Sequence, residues 1–105
     1  MKLSGRHREL RKPFVGAVVI TDVASEQQIS SHTSELSVDG CFVVTATPWN
    51  PGASVRITIL HAGAKVPAFG RVIYSRADGM GIVFTEIEPS EQAVLEGWMT
   101  DLRAK

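Results

Sequence analysis

The chain has 105 residues, 44% of them apolar, which is enough for one domain with a single core and too little for a second. Eleven basic and eleven acidic side chains cancel, so net charge argues against a long nucleic-acid surface or a membrane surface as partner. The single cysteine, Cys41, excludes an internal disulfide and fits a reducing, cytoplasmic setting; no apolar run approaches the roughly 20 residues needed to cross a bilayer, and no signal peptide is evident.

Taken in chain order, residues 1–13 read as a flexible basic arm. Lys2, Arg6, Arg8, Arg11 and Lys12 face one acid, Glu9, and Pro13 closes the segment. Residues 14–105 then read as one folded unit. Phe14–Ala24 is apolar and β-branched, which predicts a strand. Gln28–Leu36 alternates more weakly and suits a strand with one wet face. Val38–Ala46 is a third strand, and the turn formers of Thr47–Ala53 mark a loop. Ser54–His61 alternates cleanly, with Val55, Ile57 and Ile59 on one face and Arg56, Thr58 and Leu60 on the other. Ala62–Ala64 predicts a hairpin turn, Lys65–Arg76 a long strand with a possible bend at Gly70, Ala77–Gly81 a turn, and Ile82–Phe84 a short strand. The period then changes. Pro89 suits a first helical turn, and Val94, Leu95, Trp98, Met99 and Leu102 recur at helical spacing, with Glu91 and Arg103 placed to suit the helix dipole. Six short strands and one helix predict a mainly β protein, a closed or nearly closed antiparallel barrel with a C-terminal helix.

Catalysis needs converging groups, and the sequence offers none. There is no phosphate-cradling glycine loop, and His7, His32 and His61 lack metal-ligand spacing. Cys41 sits in a strand pattern and reads as a small hydrophobe. Glu86 and Glu88 alternate at a strand end and read as solvated. The chain therefore reads as a binding domain and not an enzyme, with no resident cofactor and no metal.

Two local patterns point to the binding. In Arg6-His-Arg-Glu-Leu-Arg-Lys12 the planar guanidinium forks suit phosphate and the O6/N7 edge of guanine. In Glu35-Leu-Ser-Val-Asp-Gly40 a carboxylate can accept from guanine N1–H and N2–H, and a serine lies two residues on. On a continuing strand those two side chains share a face. Gly40 permits a tight turn or bulge.

Together these patterns and the strand order resemble the PilZ domain family, over about Arg6 to Leu102. Gly70-Arg-Val-Ile-Tyr-Ser, Gly79-Met-Gly-Ile-Val-Phe-Thr85 and the helix after Pro89 are similar to the family's late strands and closing helix. The resemblance implies a six-stranded barrel followed by a helix, and a receptor for the bacterial second messenger cyclic di-GMP. Family members hold it with an RxxxR arm and a [D/N]xSxxG turn. The implied ligand set here is Arg6, His7, Arg8, Arg11, Lys12, Glu35, Ser37 and Gly40, with the arm folding over the ligand. Ser37 and Gly40 match the turn motif, whereas Glu35 replaces Asp or Asn with one extra methylene. Arg11 aligns as the second arginine of the arm, and strict spacing then puts His7 where the first belongs. Arg8 with Lys12 keeps the spacing but ends on lysine. The resemblance leaves a second function open, an adaptor that binds a downstream protein and no nucleotide, with Pro48, Trp49 and Pro51 as its contact loop. Neither function implies a nucleic-acid polymer or membrane insertion.

Overall fold

The computed structural model describes residues 11–103. Its elements are β1 (Lys12–Pro13), β2 (Ala17–Asp22), β3 (Gln28–Leu36), β4 (Gly40–Val44), β5 (Ser54–His61), β6 (Ala64–Arg76), β7 (Gly79–Glu86) and α1 (Pro89–Arg103). Period-2 alternation decides which way each strand faces. Val55, Ile57 and Ile59 of β5 are buried while Arg56 and Leu60 are exposed, and on β6 Val66, Ala68 and Val72 are buried between the exposed Lys65, Pro67, Phe69, Arg71 and Ile73. The inward residues of β2, β4 and β7, among them Ile20, Cys41, Val43, Met80 and Ile82, complete one core.

The strands form two antiparallel meanders, β2–β3–β4 and β5–β6–β7. Pairing of β2 with β5 and of β4 with β7 joins them along two seams and closes a six-stranded antiparallel barrel. The β5–β6 hairpin turns on Ala62 and Gly63, with φ of 53° and 79°, the pair of positive values that a type I′ turn needs to match strand twist. The Thr47–Ala53 region is a loop, as its turn formers predict, and it carries the chain from β4 across to β5.

The predicted strand Phe14–Ala24 is interrupted. Regular pairing of β2 starts at Ala17, and the short β1 lies along the same edge of β3, with Lys12 opposite Leu36 and Pro13 opposite Glu35. Between them the Thr33 hydroxyl donates to the Phe14 carbonyl at 2.8 Å and accepts from the Gly16 amide at 3.0 Å. A buried side chain thus takes two main-chain groups that a continuous ladder would have used. At the other end of the chain, β7 is longer than the predicted Ile82–Phe84, because Gly79 and Gly81 belong to the strand and not to the turn before it.

Helix α1 packs on β6 and buries Leu95, Trp98 and Met99, the middle of the predicted apolar stripe, with Val94 and Leu102 partly buried against the core. Trp98 stacks on Phe14 with ring centroids 5.7 Å apart and meets the His61 ring edge-on at 5.2 Å. The helix is thereby fixed both to the root of the N-terminal arm and to the β5–β6 hairpin. Among the described residues no helix is long and apolar enough to cross a membrane.

Candidate ligand-binding site

The β3–β4 turn and the end of the arm meet on the barrel's outer surface. Strand β3 ends at Leu36, so Ser37 does not continue the strand face of Glu35; it starts the turn and is buried. Its amide donates to the Gly40 carbonyl at 2.8 Å, and its hydroxyl accepts from the Asp39 and Gly40 amides at 3.1 and 3.2 Å. A serine in this position satisfies amides that a reverse turn would otherwise leave unbonded. Gly40 has no positive φ, and its role is close approach. A Cβ there would stand 2.0 Å from the Ile82 carbonyl oxygen, so only glycine lets β4 close onto β7 at this point.

That same carbonyl receives Arg11. Its Nη2 donates to Ile82 O at 3.3 Å and its Nη1 to the Tyr74 hydroxyl at 3.1 Å, with the guanidinium 6.0 Å from the centre of the Tyr74 ring. Lys12 follows in β1, beside Leu36. Residues 11–13 therefore lie next to the Glu35–Gly40 turn through main-chain pairing, and Arg11 lies across the β4–β7 seam.

Strand register extends this site into a row. Pro13 pairs with Glu35, Glu35 with Phe42, Phe42 with Gly81, and Gly81 with Tyr74. Directly opposed residues share a face of the sheet. Leu36, Cys41 and Ile82 point into the core, so the row lies on the other face of the sheet, where Glu35 and Tyr74 are half-buried and Phe42 is covered. Gly79 and Gly81 leave space for the aromatic rings: a Cβ at Gly81 would lie 2.3 Å from the Tyr74 ring, and one at Gly79 2.5 Å from the Phe42 ring. Phe42 and Tyr74 lie nearly parallel, 6.2 Å apart at 29°. The Arg76 guanidinium sits 4.5 Å from the Phe42 centroid and 5.7 Å from that of Tyr74, and is held at 3.6 Å by Asp78. The Glu35 carboxylate, half-buried at one end of the row, has no ion pair or hydrogen bond among the described residues.

Of the residues singled out in the sequence, the structure brings together Arg11, Lys12, Glu35, Ser37 and Gly40. Arg6, His7 and Arg8 lie outside the described residues. The sequence reading missed Phe42, Tyr74 and Arg76: alternation signals Phe42 alone, since Tyr74 and Arg76 share the parity of the inward Val66, Ala68 and Val72 and come beside the β7 glycines only through the register shift between Val72 and Tyr74. Cys41, next to Phe42, is fully buried; burial pushes its thiol up from 9.0 to about 12 against the opposing charge of Arg11, so at neutral pH it is a protonated core residue. Trp49 is half-buried, with its amide on the Met80 sulfur at 3.4 Å and its carbonyl accepting from the Ser75 hydroxyl, so the adaptor loop is tied back to the barrel.

A half-buried tyrosine ring close to Arg11 and Arg76, with an acceptor carboxylate at the far end of the row, can receive a planar anionic ligand whose ring edge carries N–H donors, while Phe42, buried with Arg76 over its ring, supports the row from within. A comparison with curated protein sequences finds no match. Among solved structures, the PilZ domain of CeSA from a cellulose-synthesizing bacterium superposes with a TM-score of 0.74 at 16% identity, over 90% of this chain and 99% of that one. Inhibitor of motility (MotI/DgrA) from Bacillus subtilis superposes with a TM-score of 0.75 at 20% identity, again over 90% of this chain but only 49% of its own. The barrel and its closing helix are thus a fold these proteins share, and the family model for the PilZ domain matches residues 6–101, from within the arm through the barrel and into the helix: the chain belongs to the PilZ domain family.

Proposed function

We propose that this domain is a receptor for cyclic di-GMP. The observation that supports the reading is the main-chain pairing of Lys12 and Pro13 with Leu36 and Glu35, which sets Arg11 and Lys12 close to the Glu35–Gly40 turn. Membership of the PilZ family, whose members typically bind this nucleotide, supports it.

The residues divide the work as follows. Arg11 supplies a permanently charged fork for phosphate or for the guanine O6/N7 edge. Glu35 accepts from guanine N1–H and N2–H, its longer side chain retracting to do so. The Tyr74 ring offers a stacking face, and Arg76, 5.7 Å from its centre, adds positive charge nearby. Ser37 and Gly40 act through the backbone: one fixes the turn, the other allows the seam to close under Arg11. Arg6 and Arg8 add to the arm's charge and, with His7, fold over the ligand. Ordering each of them costs about 1–2 kcal/mol, so the contacts they gain must exceed that sum.

Isothermal titration of low-micromolar protein with cyclic di-GMP is the test. A saturating isotherm is expected, weakened at least tenfold by Arg11→Ala and by Ser37→Ala, and tightened by His7→Arg. Absence of heat up to high micromolar nucleotide would sink the proposal and leave the nucleotide-free adaptor.

A further inference from the structure

A second recess lies on the outer surface, over β2, β5 and other parts of β6 and β7. On β6, Pro67 and Phe69 point outward, and Phe69 keeps 47% of its surface exposed. Phe69 is flanked across the sheet by Arg56 of β5 and Glu86 of β7, and Pro67 is opposite Thr58, itself opposite Val19 of β2. Val19, Pro67, Phe69 and Ile87 wall a cavity of about 380 Å³, within the range of roughly 300–1,000 Å³ in which protein sites hold ligands. Glu86 and Glu88 stand at its rim. The Arg56 guanidinium is 3.5 Å from Glu26, while neither Glu86 nor Glu88 has an ion pair among the described residues. Arg56 lines the recess as well, so the recess combines an apolar floor with an excess of negative over positive charge, Glu86 and Glu88 against Arg56.

Closure of the barrel leaves no free strand edge here, so an occupant cannot add a strand and must be read through its side chains. An exposed phenylalanine in an apolar hollow marks an interaction surface, and carboxylates beside it select a cation next to an apolar group. We infer that this recess docks a protein segment that presents an aliphatic or aromatic side chain flanked by lysine or arginine. This surface does not depend on the nucleotide reading.

Selection of a phage-displayed random-peptide library against the immobilised full chain, without nucleotide, tests it. Enriched peptides are expected to carry an apolar residue with Lys or Arg within two positions. A synthetic peptide of the enriched sequence should bind at least tenfold more weakly to Phe69→Ser and to the Glu86→Gln/Glu88→Gln double variant, and unchanged to Arg11→Ala. All three substituted recess residues are exposed, so the barrel should fold in each variant. The inference is overturned if no peptide is enriched over the bare support, if the enriched peptides lack basic residues, or if they bind Phe69→Ser as tightly as the parent. A concentration-dependent dimer in sedimentation that Phe69→Ser abolishes would also overturn it, by giving the recess to a second copy of the chain.

Discussion

Tyr74 does two jobs with different atoms. Its hydroxyl accepts from Arg11, and its ring lies over Gly81 beside Phe42. The two can be separated. Tyr74→Phe removes only a hydrogen bond, worth about 1 kcal/mol, and should weaken cyclic di-GMP about fivefold in the same titration. Tyr74→Leu also removes the flat face and should weaken binding further. Neither Tyr74 nor its partners Phe42 and Arg76 stood out in the sequence, because their proximity is a product of register across β4, β7 and β6. Ser37 and Gly40 did stand out, since a serine followed three residues on by glycine is a local turn signal. Their contribution was legible only in part. The pattern marked the turn, while the buried hydroxyl and the approach to Ile82 needed the third dimension.

At the level of elements, helix α1 shows what a single contact can hold. Trp98 joins the helix to Phe14 and His61, and it is almost wholly buried. Trp98→Ala should cost about 3–5 kcal/mol, a large part of the roughly 5–15 kcal/mol that keeps a domain of this kind folded, and urea unfolding monitored by far-UV circular dichroism will read it. Trp98→Phe should cost clearly less. The helix was legible because Leu95, Trp98 and Met99 fall on one stripe, and β5 because its alternation is unbroken; β6 alternates as far as Val72, where a register shift against β7 carries Tyr74 to the opposite face. Two strand boundaries misled. The apolar run from Phe14 hides the place where the Thr33 hydroxyl breaks the ladder. Gly79-Met-Gly81 has the composition of a turn, yet these glycines are strand residues covered by aromatic rings, an arrangement that composition alone does not display.

For the molecule as a whole, the buried thiol of Cys41 sets an alkaline limit. Its folded value of about 12 lies above the 9.0 of the exposed group, and the cause is burial, with Arg11 acting in the opposite direction. Below pH 9 the thiol is protonated in both states and does not affect the balance. As pH rises from 9 towards about 12 the unfolded chain loses this proton and the folded one keeps it, so the unfolded state is favoured. Unfolding free energy should therefore fall with pH across that window, and Cys41→Ala should show a shallower slope in denaturant titrations taken at successive pH values. The slope is the readout, since the smaller side chain lowers stability at every pH.

The division of the barrel into two meanders bears on what a ligand would do to the fold. Glu35 and Phe42 belong to the first meander, Gly81 and Tyr74 to the second, and Arg11 reaches from the root of one to the other. A nucleotide held by this row is a staple between two halves that are each locally connected. The β4–β7 seam pairs residues far apart in sequence, the kind of contact whose closure is slow because a long stretch of chain must first be ordered. A staple present only after that closure leaves the folding rate as it is and slows the reopening. Second-messenger binding would then be recorded as mechanical endurance: the occupied barrel lasts longer, whether or not its shape changes.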